Sequence, residues 1–263
     1  MARVARTVNQ RIRRLRTFNR VAASLHLVLA VGLSYLLVLL GESISLEGAR
    51  DLLFGGRDVS VSAGQSTLFV GIALVLMLLI STVCHFLVAS PTAFRYTIGI
   101  KTGYSTIRWV DFALSSSILL WVLAEITAIA HTSAFVVLII ANVALLVFGS
   151  RLERADAPGR ALYPGFLIGA LVAALPWLAL LFYVMGPGST GETRPAVFVF
   201  TLVLSVFVSA GAFVLNQVLP HFRVGPWRDF VFGEGVYIAL NLGAKLALTA
   251  QIVAAAVLPR LDL

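Results

Sequence analysis

Charged side chains are scarce in this chain of 263 residues. Only 12% of the residues are Asp, Glu, Lys or Arg, about half the fraction that soluble domains carry. Apolar residues make up 59% of the chain, and the mean hydropathy is +0.96. This balance excludes an ordinary soluble domain and predicts an integral membrane protein, whose partner is the lipid bilayer.

Several features that other functions require are also missing. The chain has one cysteine, Cys84, so no disulfide can form within it. The sequence shows no metal-ligand cluster, no nucleophile–base pair and no phosphate-binding loop. Nothing in it resembles a nucleic-acid-binding module. We therefore expect no enzyme, no metal site and no nucleic-acid partner.

Long apolar blocks are what the sequence does contain. Each has about the 20 residues that a helix needs to cross a bilayer, and a helix satisfies its backbone hydrogen bonds internally. The blocks predict seven transmembrane helices, over residues 20–40, 67–90, 100–130, 132–150, 162–186, 195–219 and 231–258. The predicted fold class is an all-α membrane protein.

The longest stretch between predicted spans is the loop 41–66. It contains "RDVSVSAG", whose alternation of polar and apolar residues predicts a short strand or hairpin. We therefore divide the chain into a basic segment (1–19), a membrane domain (20–258) that includes this loop, and a short tail (259–263).

Basic residues are unevenly distributed between the two sides of the predicted membrane domain. Fifteen of the 20 lysines and arginines fall on the side of the N-terminus, seven of them within residues 1–20, and four fall on the other side. The positive-inside rule then predicts a cell-membrane protein with a cytoplasmic N-terminus and an extracellular C-terminus. The basic segment serves this topology and contact with anionic lipid, and nucleic-acid binding is the weaker interpretation.

One charged residue interrupts the last apolar block, "VYIALNLGAKLALTAQIVAAAVL" (236–258). Lys245 lies about fourteen residues from either end of its predicted span, too deep for its side chain to reach the membrane surface. An uncompensated charge there costs several kcal/mol. Lys245 is either an ion-pair partner on a structural or transport path, or a nucleophile, since desolvation favours the neutral amine that attacks an aldehyde.

Two acidic residues of the third predicted span are candidate partners for Lys245. Asp111 and Glu125 are fourteen residues apart, about 21 Å along a helix, so both cannot lie beside one lysine. If the span begins at Trp109, Asp111 lies near the cytoplasmic edge and Glu125 is nearer the middle. If the span begins near Thr97, Asp111 is level with Lys245.

Longer segments along the chain resemble the heliorhodopsins, a family of seven-helix retinal-binding photoreceptors. The likeness is carried, in order, by "FNRVAASLHLVLA", "CHFLVAS", "RWVDFALSSS", "ANVALLVFGSRLE", "ALPWLALLFY" and "LNQVLPHFRVGPWRDFVFGEGVYIALNLGAKLALTAQI". Heliorhodopsins have their N-terminus inside the cell, opposite to ordinary microbial rhodopsins. The orientation predicted from the arginines agrees with this.

The resemblance implies a chromophore site built around Lys245. This lysine would carry all-trans retinal as a protonated Schiff base, with Asp111 as the counterion, which favours the longer third helix. Ser115, one helical turn after Asp111, matches a serine beside the Schiff base. Asn142 and Trp177 match residues that line the chromophore pocket.

The resemblance also implies a polar, water-containing cavity on the cytoplasmic side, which would accept the proton. His26, His85 and Glu234 match residues of that region. The loop 41–66 resembles the strand-bearing extracellular segment through which family members form homodimers.

Three positions depart from the family pattern. Asp111 stands where glutamate is usual, so the ion pair could lengthen or take in a water. Asn241 replaces a serine one turn before Lys245, which brings a larger amide to the Schiff-base site. Glu125 stands at a position expected to be apolar, either as a bonded glutamate near the outer surface or as an added proton acceptor or release group.

The implied function is light sensing. Photoisomerisation would separate the Schiff-base proton from Asp111 and move it towards the cytoplasmic cavity. The helices would then readjust and signal to an unidentified cytoplasmic partner. The alternatives are a light-driven proton or ion transporter, which Glu125 favours, and a retinal-free transporter or membrane enzyme that uses Lys245 directly.

Overall fold

The computed structural model describes residues 2–40, 66–126, 132–154, 178 and 197–257, and all regular secondary structure in these residues is helical. The α-helices are α1 (Ala2–Leu40), α2 (Ser66–Ala89), α3 (Phe94–Thr102), α4 (Thr106–Ile126), α5 (Thr132–Arg154), α6 (Val197–His221) and α7 (Phe230–Val257). A short 3-10 helix, Gly225–Arg228, precedes α7.

Five of these helices contain stretches long and apolar enough to cross a membrane. The stretches are Asn9–Leu39, Val70–Ala89, Thr106–Leu123, Phe200–His221 and Phe230–Ala254. The chain is therefore a multi-pass membrane protein. The helix predicted over 162–186 lies outside the described residues, apart from residue 178, so the count of seven spans stays a prediction.

The third predicted span, 100–130, differs from the observed helices. The chain forms α3, breaks at 103–105, and begins α4 at Thr106. Gly103 ends α3 in the left-handed region, at φ 77°, and its N–H bonds the carbonyl of Gly99. Glycine adopts this conformation without the steric cost that a Cβ would bring. Hydropathy alone cannot detect this break, because apolar residues continue on both sides of it.

The long helices pack side by side in the order α6, α7, α1, α2, α4, α5. Buried aliphatic side chains from several helices form the main core; among them are Leu33, Leu74, Leu123, Leu202 and Leu248. Apolar residues of α1 such as Val28, Val31 and Val38 point outward and are more than half exposed, as expected of side chains that face lipid.

A second apolar cluster closes one end of the bundle, where α3 and the α6–α7 connection lie. Ile12, Leu15, Tyr96, Ile100 and Tyr237 are among its buried members. We call this end the basic end, because exposed basic residues surround the cluster; they include Arg13, Arg14, Arg95, Lys101, Arg223 and Arg228. The start of α7 is fixed here.

That start is capped by an aspartate. Asp229 Oδ1 accepts a hydrogen bond from the Val231 N–H at 3.1 Å, a stabilising arrangement at a helix N-terminus. The same carboxylate pairs with Arg11 of α1. Next to it, Trp227 Nε1 donates to Asn216 Oδ1 at 2.8 Å, which ties the connection to α6. These contacts set the position of the lysine-bearing helix.

Some predicted features fall outside the described residues. They are the hairpin expected in the loop 41–66, of which only Ser66 is described, Trp177, and the tail 259–263. The backbone of α4 is described through Ile126, but the side chain of Glu125 is not.

Candidate functional site

Lys245 and Asp111 form a buried ion pair between α7 and α4. Lys245 Nζ lies 3.3 Å from Asp111 Oδ1, and the side chains are 8% and 2% exposed. Asp111 is in the second turn of α4, so the late start of that helix does not separate it from Lys245. At the basic end, α7 extends beyond the start of α4. Asp111, early in α4, is therefore level with Lys245, which lies halfway along α7.

Two serine hydroxyls complete the surroundings of the lysine amine. Lys245 Nζ donates to Ser115 Oγ at 2.9 Å and also to Ser81 Oγ. Both hydroxyls donate onward to Asp111 Oδ1, from Ser81 at 2.6 Å and from Ser115 at 3.1 Å. The amine and one carboxylate oxygen are therefore joined directly and through two hydroxyls, which reduces the cost of burying their charges.

The other carboxylate oxygen faces α7. Asn241 Nδ2 donates to Asp111 Oδ2, and Tyr237 Oη lies 3.3 Å from the same oxygen. Tyr237, Asn241 and Lys245 follow one another at intervals of four residues, which puts them on one face of a helix. This face of α7 therefore contacts the Asp111 carboxylate through Oδ2 as well as through Oδ1.

Two stacked histidines lie beside the pair. The rings of His26 and His85 are 5.4 Å apart between centroids and within 9° of parallel. His85 Nδ1 lies 2.7 Å from Asn19 Oδ1, and its Nε2 lies 3.1 Å from Asn241 Nδ2. Neither ring nitrogen of buried His26 has a hydrogen-bond partner of ordinary geometry in the part of the chain that the structure describes.

Nearer the basic end lies a second buried ionic group, the Arg108 cluster, which consists of Arg108, Glu153, Glu234 and Gln217. Arg108 pairs with Glu153 and, at 3.1 Å, with Glu234, and it donates to Gln217 Oε1 at 3.2 Å. Its guanidinium also lies 5.4 to 5.7 Å from the ring centres of Trp109, Phe230 and Tyr237. One permanent cation thus holds carboxylates from α5 and α7.

A small cavity separates the two ionic groups. Its volume is about 10 Å³, close to the smallest void that holds one water molecule. His85, Arg108, Asp111, Glu234 and Tyr237 are among the residues that line it. Glu234 and His85, predicted to share a polar region, therefore do lie on one cavity.

Tyr96 extends this polar region towards α3. Asn19 Nδ2 donates to its Oη at 3.4 Å. Burial raises the pKa of the Tyr96 phenol, so the hydroxyl stays protonated and neutral.

On its other side, Lys245 borders a large cavity of about 470 Å³. The walls are mainly apolar, from side chains such as Met77, Leu119, Phe213 and Leu248. Polar groups are the minority among the described lining residues, and they include the predicted residues Ser115, Asn142 and Asn241. Asn142 Nδ2 is held by Ser116 Oγ at 2.9 Å and Ser117 Oγ at 3.1 Å. The amine thus stands where an apolar chamber meets a polar network.

The structure brings most of the predicted site residues together. Lys245, Asp111, Ser115 and Asn241 make direct contacts, and His85 joins them through Asn241. His26, Asn142 and Glu234 lie in the adjoining layers, while Trp177 is outside the described residues.

Sequence reasoning missed Ser81, Tyr237 and every member of the Arg108 cluster except Glu234. The spacing of four residues that joins Ser81 to His85, and Tyr237 to Asn241, could have indicated the first two. Arg108 is one of the fifteen basic residues that the sequence analysis assigned to the side of the N-terminus, but it is buried inside the bundle, 8% exposed. Nothing in the sequence pairs it with residues 45 and 126 positions away.

Comparison with known proteins identifies the family. The sequence model of heliorhodopsins matches residues 15–257, nearly the whole chain. The chain belongs to the heliorhodopsin family. Membership of this rhodopsin family implies a retinal chromophore in a light-responsive membrane protein. No curated protein sequence matches the chain significantly.

A solved rhodopsin domain supports the fold of this heliorhodopsin. The transmembrane domain of the Salpingoeca rosetta rhodopsin phosphodiesterase has a TM-score of 0.66 at 14% identity, over 97% of this chain and 89% of that chain. At this identity the likeness concerns the fold alone. The phosphodiesterase activity in that name belongs to that protein. Our expectation that this chain is not an enzyme remains a prediction.

Proposed function

We propose that this heliorhodopsin is a light sensor that holds all-trans retinal as a protonated Schiff base on Lys245, with Asp111 as its counterion. The observation that carries the proposal is the position of Lys245 Nζ, buried at the wall of a large apolar cavity and 3.3 Å from a carboxylate oxygen. An ionisable side chain inside a membrane span is costly, and such residues usually mark functional sites.

The residues of the cavity suit such a chromophore. A volume of about 470 Å³ falls within the range of roughly 300 to 1,000 Å³ that is typical of small-molecule sites. Retinal is an apolar polyene with one aldehyde, so it needs apolar walls and one amine. Phe112, Phe213 and Leu248 are among the wall residues, and Lys245 supplies the amine.

When bound, retinal supplies light absorption and an isomerisation that reorients the N–H on the lysine nitrogen. The protein residues keep that nitrogen charged in the dark, because Asp111 stabilises a cation beside it. Ser81 and Ser115 hold the carboxylate in position through their hydrogen bonds to Oδ1. Both side chains are buried, at 8% and 2% exposure, and the low dielectric constant of the interior strengthens the ion pair.

The polar layer towards the basic end is the proposed destination of the proton. His85 is hydrogen-bonded to Asn241, which in turn contacts Asp111. His26 stacks on His85 at 5.4 Å and has unused ring nitrogens among the described residues. Moving a charge into this layer would change the forces between α1, α2 and α7, which is the kind of local electrostatic event that can shift helices.

The proposal extends to orientation and partners. The basic end would face the cytoplasm, as its exposed arginines support, and would there meet the unidentified signalling partner. Homodimer formation through the loop 41–66 stays a prediction, because that loop lies outside the described residues. Ion transport stays the alternative; its main support was Glu125, whose side chain is not described.

The decisive experiment is to locate the adduct. The chain contains two lysines, Lys101 and Lys245. Full-length protein with added all-trans retinal should develop a visible band, and borohydride reduction should fix retinal on the peptide that contains Lys245. Lys245→Ala should remain colourless at any retinal concentration.

Lys101→Ala is the matched control, since it removes an exposed lysine at the basic end. It should keep the full visible band. A pigment in Lys245→Ala that is reducible at another side chain would end the proposal, as would wild-type protein that folds but forms no adduct.

A further inference from the structure

His85 lies between two buried amides that dictate where its proton sits. Its Nδ1 is 2.7 Å from Asn19 Oδ1, and its Nε2 is 3.1 Å from Asn241 Nδ2. All three side chains are buried, at 2 to 4% exposure. A mismatched hydrogen bond among them would therefore not be relieved by water.

The orientation of the Asn19 amide follows from a neighbour that can only accept. Asn19 Nδ2 lies 2.9 Å from the carbonyl oxygen of Leu15. Turning the amide would set two oxygens against each other, so Oδ1 must be the atom that faces His85. His85 Nδ1 must then carry a hydrogen.

The orientation of the Asn241 amide follows from Asp111 in the same way. Asn241 Nδ2 donates to Asp111 Oδ2, and as long as the carboxylate is charged this oxygen can only accept hydrogen bonds and cannot donate one. The same Nδ2 has a second hydrogen, and it points at His85 Nε2. Nε2 must therefore present its lone pair. Both amides independently assign the neutral His85 tautomer with the hydrogen on Nδ1.

We propose that Asn241 makes the protonation of His85 depend on the charge of Asp111. While Asp111 is charged, a hydrogen on His85 Nε2 would collide with the N–H of Asn241, and the amide cannot turn. Once a proton passes from the Lys245 nitrogen to Asp111, Oδ2 is the oxygen that can carry it, because Oδ1 already accepts hydrogen bonds from Ser81 and Ser115. The new O–H on Oδ2 can then donate to Asn241 Oδ1. The amide then turns over.

After this turn the same Asn241 oxygen can also accept a hydrogen from His85 Nε2. His85 can now hold a second proton, taken up from the bulk solvent, while Nδ1–H keeps its bond to Asn19. The polar layer then gains a positive charge while the proton from Lys245 stays on Asp111. The amides themselves pass no proton, because each N–H stays on its nitrogen. Asn241 thus transmits a change of charge rather than the proton itself.

The other charged and titratable groups around His85 do not determine whether its Nε2 carries a hydrogen. His26 stacks on its face from α1, and the Lys245–Asp111 pair, taken together, is neutral. Arg108 and Glu234, which share the small cavity with His85, are bonded to each other. Among these neighbours none contacts Nε2 directly, as Asn241 does.

The use of this switch in light sensing rests on the proposed function, but the tautomer of His85 does not. By linkage, if a neutral Asp111 makes His85 easier to protonate, then a protonated His85 must make Asp111 easier to neutralise by the same factor. The switch can therefore be tested on the full chain in lipid with and without retinal.

The test is ¹⁵N nuclear magnetic resonance of labelled histidine in full-length protein, with the signal of His85 assigned by its loss in His85→Gln. Wild-type His85 should stay in the neutral Nδ1–H form between about pH 5 and 8. Asn241→Ser replaces the amide by a hydroxyl that donates or accepts. The imidazolium signal of His85 should then appear about one pH unit higher, a tenfold gain in proton affinity.

Asn216→Ser is the matched control, because it removes a buried amide that contacts Gly233 and Trp227 instead of His85. It should leave the His85 signals unchanged. Two results would overturn the switch: an Nε2–H or imidazolium signal in the wild type at pH 7, or identical titrations in the wild type and Asn241→Ser. Absence of pigment with an intact tautomer shift would reject the proposed function but retain the switch.

Discussion

The two buried ionic groups found among the described residues are built from different chemistry. At the Lys245–Asp111 pair, one flexible amine meets one carboxylate and two serine hydroxyls, next to a cavity of about 470 Å³. In the Arg108 cluster, a planar guanidinium meets two carboxylates, an amide and three aromatic rings. Both are buried, but only the first borders the large chamber.

This difference indicates that the lysine group can take part in a reaction, whereas the arginine group can only link helices. A guanidinium keeps its charge at any physiological pH and offers donors in a fixed plane, so it suits a permanent clamp between helices. A lysine amine can lose its charge on burial and can become a nucleophile. Arg108 joins α4, α5, α6 and α7 at the basic end, while Lys245 faces the cavity.

We expect the largest effect on stability from removing the guanidinium of Arg108. Arg108→Gln would leave Glu153 and Glu234 buried without their cation, which typically costs about 3 to 5 kcal/mol. The visible band should keep its position in the protein that folds, because Arg108 makes no contact with Lys245. Unfolding in denaturing detergent, followed by loss of the visible band, measures the cost.

Arg154→Gln is the control for that experiment. Arg154 is exposed and bonds Tyr104 Oη at 2.6 Å, so its loss should cost at most about 1 kcal/mol. Equal destabilisation by the two substitutions would show that Arg108 is no more structural than a surface arginine. A large colour change in Arg108→Gln would assign it to the chromophore site.

Asp111→Asn tests the reactive group. The amide keeps the shape of the side chain but removes the anion beside Lys245 Nζ. Without it the pigment should lose its protonated band at a pH about 1 to 3 units lower, the usual effect of one close opposite charge. The remaining band should shift to longer wavelength, since the positive charge is less localised at the nitrogen. A pH titration of the visible spectrum measures both.

Asp111→Glu is the companion variant, because it retains the charge and restores the residue usual in the family. It should titrate close to the wild type. An unchanged titration and spectrum in Asp111→Asn would point to another counterion, and Glu125 would be the next candidate.

The comparison also separates what sequence could predict from what it could not. Lys245 was identifiable because a single cation in an apolar block is anomalous against its surroundings. Asp111 was one of two candidates, and its choice over Glu125 came from the family likeness and not from periodicity. The family membership and the rhodopsin-like fold agree with that likeness.

The Arg108 cluster was beyond sequence reasoning for a physical reason. Arg108 was counted with the cytoplasmic charges and Glu153 lies just beyond the predicted span 132–150, and charges in such positions normally meet water. Their burial therefore depends on how far each helix extends. The break at Gly103 and the extension of α5 to Arg154 decide this. Pairing between distant helices leaves no trace in one sequence.

The smallest expected effect concerns the residue that joins the two groups. Tyr237 Oη lies 3.1 Å from the backbone oxygen of Arg108 and 3.3 Å from Asp111 Oδ2. Tyr237→Phe removes this hydroxyl and should cost about 1 kcal/mol, the typical worth of one hydrogen bond. Tyr96→Phe, which removes a buried hydroxyl without a contact to Asp111, is the control.

A double-mutant cycle decides whether this hydroxyl couples the clamp to the reactive pair. Arg108→Gln and Asp111→Asn are combined, first with Tyr237 intact and then in the Tyr237→Phe background. Residues in one network usually show interaction energies of about 0.5 to 3 kcal/mol, whereas independent sites add. Because one hydroxyl makes the link, we expect a value near the lower limit that vanishes in Tyr237→Phe and survives in Tyr96→Phe. Coupling that persists without the Tyr237 hydroxyl would mean that the two groups communicate through the packing of α4 instead.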